Sequence, residues 1–368
     1  MTGAPRTSRA AGTSRTVRTV RTSGTLGTSA TSDTWDTSGI SPGSRASRAR
    51  AAGRASLPAL AWAGGLAAAY LLVPLLLGAN LYVMSLVVAA LVIACVALSW
   101  ALLGNLGGMV SFGHSAFFGV GAYVSALLTA KAGLPVPLGM VLGGAGAVLA
   151  AVVMLPVLRL RGPYFALAIL ACAHILRIVA TEWSGMTGGA AGIANIPVLP
   201  SLFGLPAGGK TGAYLIMLTI VLLFAWLYQR VRASHYGLAL RAMHDSEDAT
   251  RVVGVNSTLL KGAMLLLSAF MAGVAGAFNA HYINFLEPDY AFNSVWITVP
   301  IVAAIFGGYR TIAGPVIGAL VVYLLDQLVF KSWMPTGHQL VLGALLVAMM
   351  VASPAGLLPL LRRGARHA

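Results

Sequence analysis

The sequence predicts an all-α polytopic membrane protein with about eight to ten transmembrane helices and both termini cytoplasmic. Three observations predict it. First, the chain is 58% hydrophobic and only 9% charged, whereas a soluble domain carries about 25% charged residues. No water-soluble core hides so much apolar surface, so lipid must be the solvent for much of it. Second, apolar runs near the roughly 20 residues needed to cross the hydrocarbon core follow one another through the chain. Third, Lys and Arg collect in alternate loops between those runs, as they do on the cytoplasmic side of membranes.

Residues 1–56 are Arg, Ser, Thr, Gly and Ala with almost no large apolar side chains. Such a segment cannot bury enough surface to offset its ordering entropy, so it is expected to be a disordered tail. It holds nine Arg and two Asp, nearly half of the net charge of +15. An Arg- and Ser-rich, acid-poor stretch also resembles an organelle transit peptide. A basic cytoplasmic tail, or an extension outside the functional chain, is the expectation here. The overall basicity does not point to nucleic acid, because no basic or aromatic patch on a soluble fold accompanies it.

Ten candidate spans follow, at residues 57–77, 82–103, 112–130, 137–158, 163–181, 212–231, 259–281, 294–308, 311–330 and 338–352. The eighth and tenth are short. The third is rich in glycine, with Gly113, Gly119 and Gly121. Any of these three is a candidate for a re-entrant or broken segment. With the N-terminus inside, the inner loops hold Arg159, Arg161, Arg230, Arg232, Arg241, Arg251, Arg310, Arg362, Arg363 and Arg366. The outer segments hold Lys131, Lys210 and Lys331 with Glu182, Glu287 and Asp289, and Arg177 falls in the fifth span. The longest outer loop is 182–211, and the longest inner loop is 232–258.

Residues 204–211 fit the phosphate-binding pattern G-x-x-x-x-G-K-[ST]. A true P-loop follows a core strand and opens a soluble helix. Here a Pro-rich loop precedes it and a membrane span follows, so nucleotide binding is not expected. The inner loop is more informative. Leu238, Arg241, Ala242, Asp245, Ala249 and Val252 recur at helical spacing, which predicts one short amphipathic helix. Glu247 and Arg251 are four apart in the favourable orientation, and Gly254 suits a helix C-terminus. Such a helix is either a solvated interfacial element or one that docks into a partner's groove.

The third span opens with Gly107, Gly108, Ser111, Phe112, Gly113 and His114, where small residues permit close packing and backbone breaks. His114, at membrane depth, is either a packed structural histidine or a functional one. Asn105, His174, Asn279, His281, Asp326 and Gln327 are scattered, and Asp326 and Gln327 are expected to be wet near an outer end. Cys95 and Cys172 stand alone in apolar runs, which makes neither a disulfide framework nor a metal site. No catalytic constellation, metal site or cofactor is expected.

At these residues the chain resembles the LivM-type permeases of the branched-chain amino acid ABC importers. The resemblance covers about residues 80–358. It rests on the stretch from Gly107 to Leu128, on Arg159, Arg161, Gly162 and Tyr164, and on His174 and Arg177 followed by Met186, Thr187, Gly188, Gly189, Gly192 and Ile193. It continues with Gly237, Leu240, Arg241, Ala242, Glu247, Ala249, Gly254 and Asn256, then with Phe306, Gly307, Gly308, Gly314, Pro315, Gly318 and Ala319. Near the C-terminus Ser353 and Pro354 replace the family's frequent Arg-Pro, losing a charge.

The resemblance implies a permease domain over 57–361, in the bacterial cytoplasmic membrane. It implies a LivH-type permease partner, two cytoplasmic ABC ATPase subunits and an extracytoplasmic solute-binding protein. Gly237, Arg241, Glu247, Ala249 and Gly254 would couple to an ATPase. Ser111, Phe112, His114, Phe117 and Gly121 would line part of the translocation path. The solute would be a branched-chain or related amino acid, and relatives that carry urea or short amides keep that alternative open. An ion-coupled transporter would need intramembrane carboxylates on the path, and Asp326, near one end, is the only candidate. A membrane-embedded enzyme would need a nucleophile or metal cluster, which the sequence lacks.

Overall fold

A computed structural model describes residues 69–70, 72–78, 80–160, 162–200, 209–335, 337–352 and 356–357. The tail 1–56, most of the 57–77 span, Arg161 and most of the 204–211 pattern lie outside the described residues.

The eleven principal helices are α1 (Leu81–Gly107), α2 (His114–Ala130), α3 (Val136–Val153), α4 (Pro163–Glu182), α5 (Lys210–Ala233), α6 (His235–Asp245), α7 (Glu247–Val252), α8 (Ser257–Ile283), α9 (Val295–Gly307), α10 (Ala313–Leu325) and α11 (His338–Ala352). Among the described residues, seven helical stretches are long and apolar enough to cross a membrane, and two shorter apolar helices, His114–Ala130 and His338–Val351, accompany them. The eighth candidate gains length because a turn of helix at Pro288–Ala291 precedes α9. The ninth runs on through a π-helical turn to Trp333.

The third candidate is broken at its start. α1 ends at Gly107, Gly108 turns left-handed with φ 66°, and helix resumes only at His114. At 1.5 Å per residue, the 17 residues of α2 reach about 25 Å, short of a full crossing.

Small residues set the packing, as they must where lipid offers no hydrophobic drive between helices. α2, α3 and α8 meet backbone to backbone. A Cβ on Gly121 would collide with the backbone of Gly273, and one on Gly276 with the carbonyl of Phe118. Gly143 of α3 stands against the Gly121 carbonyl. α9 and α10 repeat the device through Gly307, Gly314 and Gly318. α1 is buried along most of its length, against α5, α8, α9 and α10. Leu149, Val153, Leu167, Leu223, Leu340 and Val351 point outward, as lipid-facing side chains do.

The two-residue strands β1 (Ile193–Ala194) and β2 (Phe285–Leu286) pair antiparallel and fasten the 182–211 loop to the end of α8. His281 Nδ1 donates to the Pro197 carbonyl at 2.8 Å, and Asn284, left-handed at φ 62°, donates to the Ile196 carbonyl at 3.1 Å.

Candidate functional site

The loop between α5 and α8 folds as an elbow of two helices, where the periodicity predicts one. Ser246 interrupts it with an extended backbone, φ −156°. Its hydroxyl accepts the Ala249 N–H at 3.4 Å and so caps a new helix whose first turn carries Glu247 and Asp248. Ser234 caps α6 in the same way through the Gly237 N–H. Leu240 and Met243 drive the inner face of α6 into the bundle, while Tyr236, Leu238, Val252 and Val253 stay exposed.

Each predicted elbow residue has a distinct place. A Cβ on Gly237 would stand 2.5 Å from the carbonyls of Val231 and Arg232, so only glycine lets α6 cross the end of α5 this closely. Arg241 donates from Nη2 to the Arg232 carbonyl at 3.0 Å, a cation against the C-terminal turn of α5. The two arginines share a cavity of about 350 Å³ with Ser234, His235 and Leu238. Glu247 receives Arg251 on one oxygen and Lys261 of α8 on the other, both at 2.8 Å. Lys261, helped by Arg251, holds its carboxyl below the usual glutamate range against a smaller opposing effect of burial. Ala249 lies exposed in the first turn of α7. Gly254 has φ 91° in open space, so its glycine serves the turn rather than a close contact.

Residues outside the five expected to couple to an ATPase complete the elbow. Lys261, read from the sequence as part of a span, anchors it. Arg251 also reaches Ser257 Oγ at 2.8 Å. His244, at the end of α6, lies against Gly108, with Nδ1 2.9 Å from where a Cβ on that glycine would be. Asn105 of α1 donates to the Tyr228 hydroxyl at 2.8 Å and to the Arg310 carbonyl at 3.5 Å, which brings the ends of α1 and α5 and the α9–α10 turn to the elbow side.

The segment from Gly107 to Gly121 is a packed junction. Ser111, His114, Phe117 and Gly121 are buried by the chain's own helices, and only Phe112 retains part of its surface. Ser268 of α8 donates to the Ser99 carbonyl at 3.0 Å, which leaves its oxygen to accept His114 Nε2 at 2.8 Å. Ser111 accepts the Gly113 N–H at 3.2 Å, and its carbonyl accepts Trp100 Nε1 at 3.0 Å. The segment thus ties the break between α1 and α2 to α8.

Asp326 corrects an expectation. It is not wet but 4% exposed, inside a π-helical turn. The 204–211 pattern fails where it can be seen, since Lys210 opens the long apolar helix α5 and donates to the Leu81 carbonyl at 2.9 Å.

A bundle of membrane-crossing helices, locked by glycine contacts and carrying a clamped elbow at one end, is the architecture of a multi-pass inner-membrane protein. The chain belongs to the family described as branched-chain amino acid transport system, permease component, which matches residues 82–350. It is 31% identical over 70% of its length to the LivM permease protein of the high-affinity branched-chain amino acid transport system of Salmonella typhimurium. It is 29% identical, again over 70%, to that of Escherichia coli K12. In both comparisons it spans 65% of the relative's length. The LivH permease protein of Escherichia coli K12 is 23% identical over 72% of this chain and 90% of its own length. No solved structure matches the chain.

Proposed function

We propose that this chain is the LivM-like half of an ATP-driven importer that carries branched-chain or related amino acids across the cytoplasmic membrane. Its partners in this reading are a LivH-like permease, two cytoplasmic ATPase subunits and an extracytoplasmic binding protein. The permease domain is residues 57–361, the 1–56 segment is a tail outside it, and both termini are cytoplasmic. The chain itself performs no catalysis. The ATPases bind and hydrolyse the nucleotide, and the permease pair alternates between states that each partner contacts differently.

The elbow is the observation that carries this reading. Its outer face presents Tyr236, Leu238, Val252 and Val253 to solvent, which is expensive unless a partner covers them. Its inner face is fastened to α5, α8 and the α1–α2 break. A docked ATPase that moves the elbow therefore moves three helices at once. Gly237, Arg241, Glu247, Ala249 and Gly254 serve this transmission. Ser111, His114, Phe117 and Gly121 support the path by holding the break, and Phe112 is the one with surface to offer.

The test is the assembled four-component complex in proteoliposomes. Loaded binding protein stimulates ATP hydrolysis and drives leucine uptake in the wild type. In the Arg241→Ala/Glu247→Ala double variant both responses fall by an order of magnitude or more. Normal coupling in that variant sinks the assignment of the elbow.

A further inference from the structure

The apolar stretch from Ala313 to Trp333 is 21 residues long, and its fourteenth residue is an aspartate. Helical rise places Asp326 about 20 Å from the start of α10. Asn105 holds that start at the elbow end through the Arg310 carbonyl, so Asp326 lies in the opposite half of the bundle. Its Oδ2 receives Gln327 Nε2 at 3.3 Å. Its Oδ1 is buried and has no hydrogen-bond partner among the described residues.

Two features make this more than an awkward packing site. A carboxylate at membrane depth is expensive and marks a functional position by default. The helix also widens to a π turn over Asp326–Phe330, with the Lys331 N–H bonded to the Asp326 carbonyl, and such turns concentrate at functional positions. Lys331 and His338 are the basic side chains in electrostatic range. Lys331 Nζ lies 3.5 Å from Gln327 Oε1, and His338 Nδ1 lies 3.1 Å from the Pro335 carbonyl, so their contacts go elsewhere. Tyr323, one turn earlier, is in electrostatic range of Asp326 and of Tyr82, Tyr282 and Tyr290.

An ionised carboxylate only accepts hydrogen bonds, so its partner must donate and should be cationic. A bare metal ion would demand several oxygen ligands. Among the described residues no group of three His, Cys, Asp or Glu could hold one. A primary ammonium needs only one carboxylate and tolerates aromatic faces. We propose that Asp326 receives the ammonium group of the transported amino acid, in the half of the membrane opposite the elbow. The proposal rests on the reading of the chain as an amino-acid permease. The carboxylate is covered here, and α11, which packs against the π turn, would have to shift to uncover it.

The experiment uses the complete complex and a hydrophobic carbodiimide, which modifies carboxyl groups in apolar surroundings, with labelling at Asp326 read by mass spectrometry. Leucine at about ten times its dissociation constant slows labelling roughly tenfold by occupancy. The ammonium-free analogue 4-methylpentanoate at the same concentration does not. Equal labelling with and without leucine overturns the proposal, as does equal protection by the analogue or protection by sodium ions without leucine. In a parallel assay Asp326→Asn lowers leucine uptake about tenfold or more, while Asp326→Glu, which restores the charge, recovers part of it. Uptake by the asparagine variant within about twofold of wild type also overturns the proposal. A wild-type complex that takes up no leucine refutes the amino-acid reading on which the proposal rests, a separate result.

Discussion

Glu247 and Lys261 form a 2.8 Å ion pair that fastens the first turn of α7 to the start of α8. Because the Glu247 carboxyl is held below its usual range, the pair has a defined pH dependence. A depressed carboxylate stabilises its state fully above the unfolded value, about 4.3, and that contribution is lost as pH falls through the lowered folded value. Amide exchange in α7, corrected for intrinsic rate, should therefore stay flat from about pH 8 to about pH 5 and rise below that.

The same pair predicts a local effect of substitution. A partly exposed ion pair is worth at most about 1 kcal/mol. Glu247→Gln should raise α7 opening about fivefold in hydrogen-exchange mass spectrometry and leave the melting temperature nearly unchanged. Unaltered exchange would show that the ion pair does not hold the elbow.

Gly108 and His244 should be energetically coupled. Gly108→Ala places a Cβ 2.9 Å from His244 Nδ1 and forces alanine into the left-handed region at φ 66°. The backbone alone costs about 1–2 kcal/mol. His244→Ala should relieve the steric part and leave the backbone part. A double-mutant cycle on thermal unfolding should therefore give a favourable interaction of about 0.5 kcal/mol or more, and strict additivity would exclude the contact.

Gly121→Ala separates a packing role from a path-lining one. Its Cβ meets the Gly273 backbone, which cannot swing aside as a side chain can. Overpacking costs about 1–3 kcal/mol where neighbours yield, and this site should reach at least the upper end. Folded yield and melting temperature in detergent should both drop. Normal stability with altered uptake would return Gly121 to the path.

Tyr228→Phe tests the junction of α1, α5 and the α9–α10 turn. The change removes the acceptor for Asn105 Nδ2 from a buried position. Loss of one buried partner costs about 1–3 kcal/mol, readable by thermal unfolding. Asn105→Ala should cost less in the Tyr228→Phe background than in the wild type, because the shared bond is already gone and only the longer one to the Arg310 carbonyl is left to lose.

The helices were legible because each is a near-continuous apolar run with polar residues at its ends, and the break before His114 was legible from its glycines. The split of the elbow was also written locally, since Ser246 followed by Glu247 and Asp248 is a cap signal, but the longer periodicity through Val252 masked it. Lys261 was hidden inside an apolar run, and its partner Glu247 is 14 residues away in another helix. The β1–β2 pair joins two-residue segments about 90 residues apart, too short for any pattern. Asp326 was misplaced because position along a span says nothing about burial. The π turn and the packing of α10 and α11 around it decide that.

α8 has a consequence that neither of its ends reveals alone. Lys261 grips the elbow near one end, and His281 grips the Pro197 carbonyl at the other. The helix between them spans about 30 Å, the thickness of the hydrocarbon layer. α8 is thus a connecting rod between the two faces of the membrane. A push that shifts the elbow along the rod's axis displaces the 193–199 loop by a similar distance, with no relay through intervening side chains.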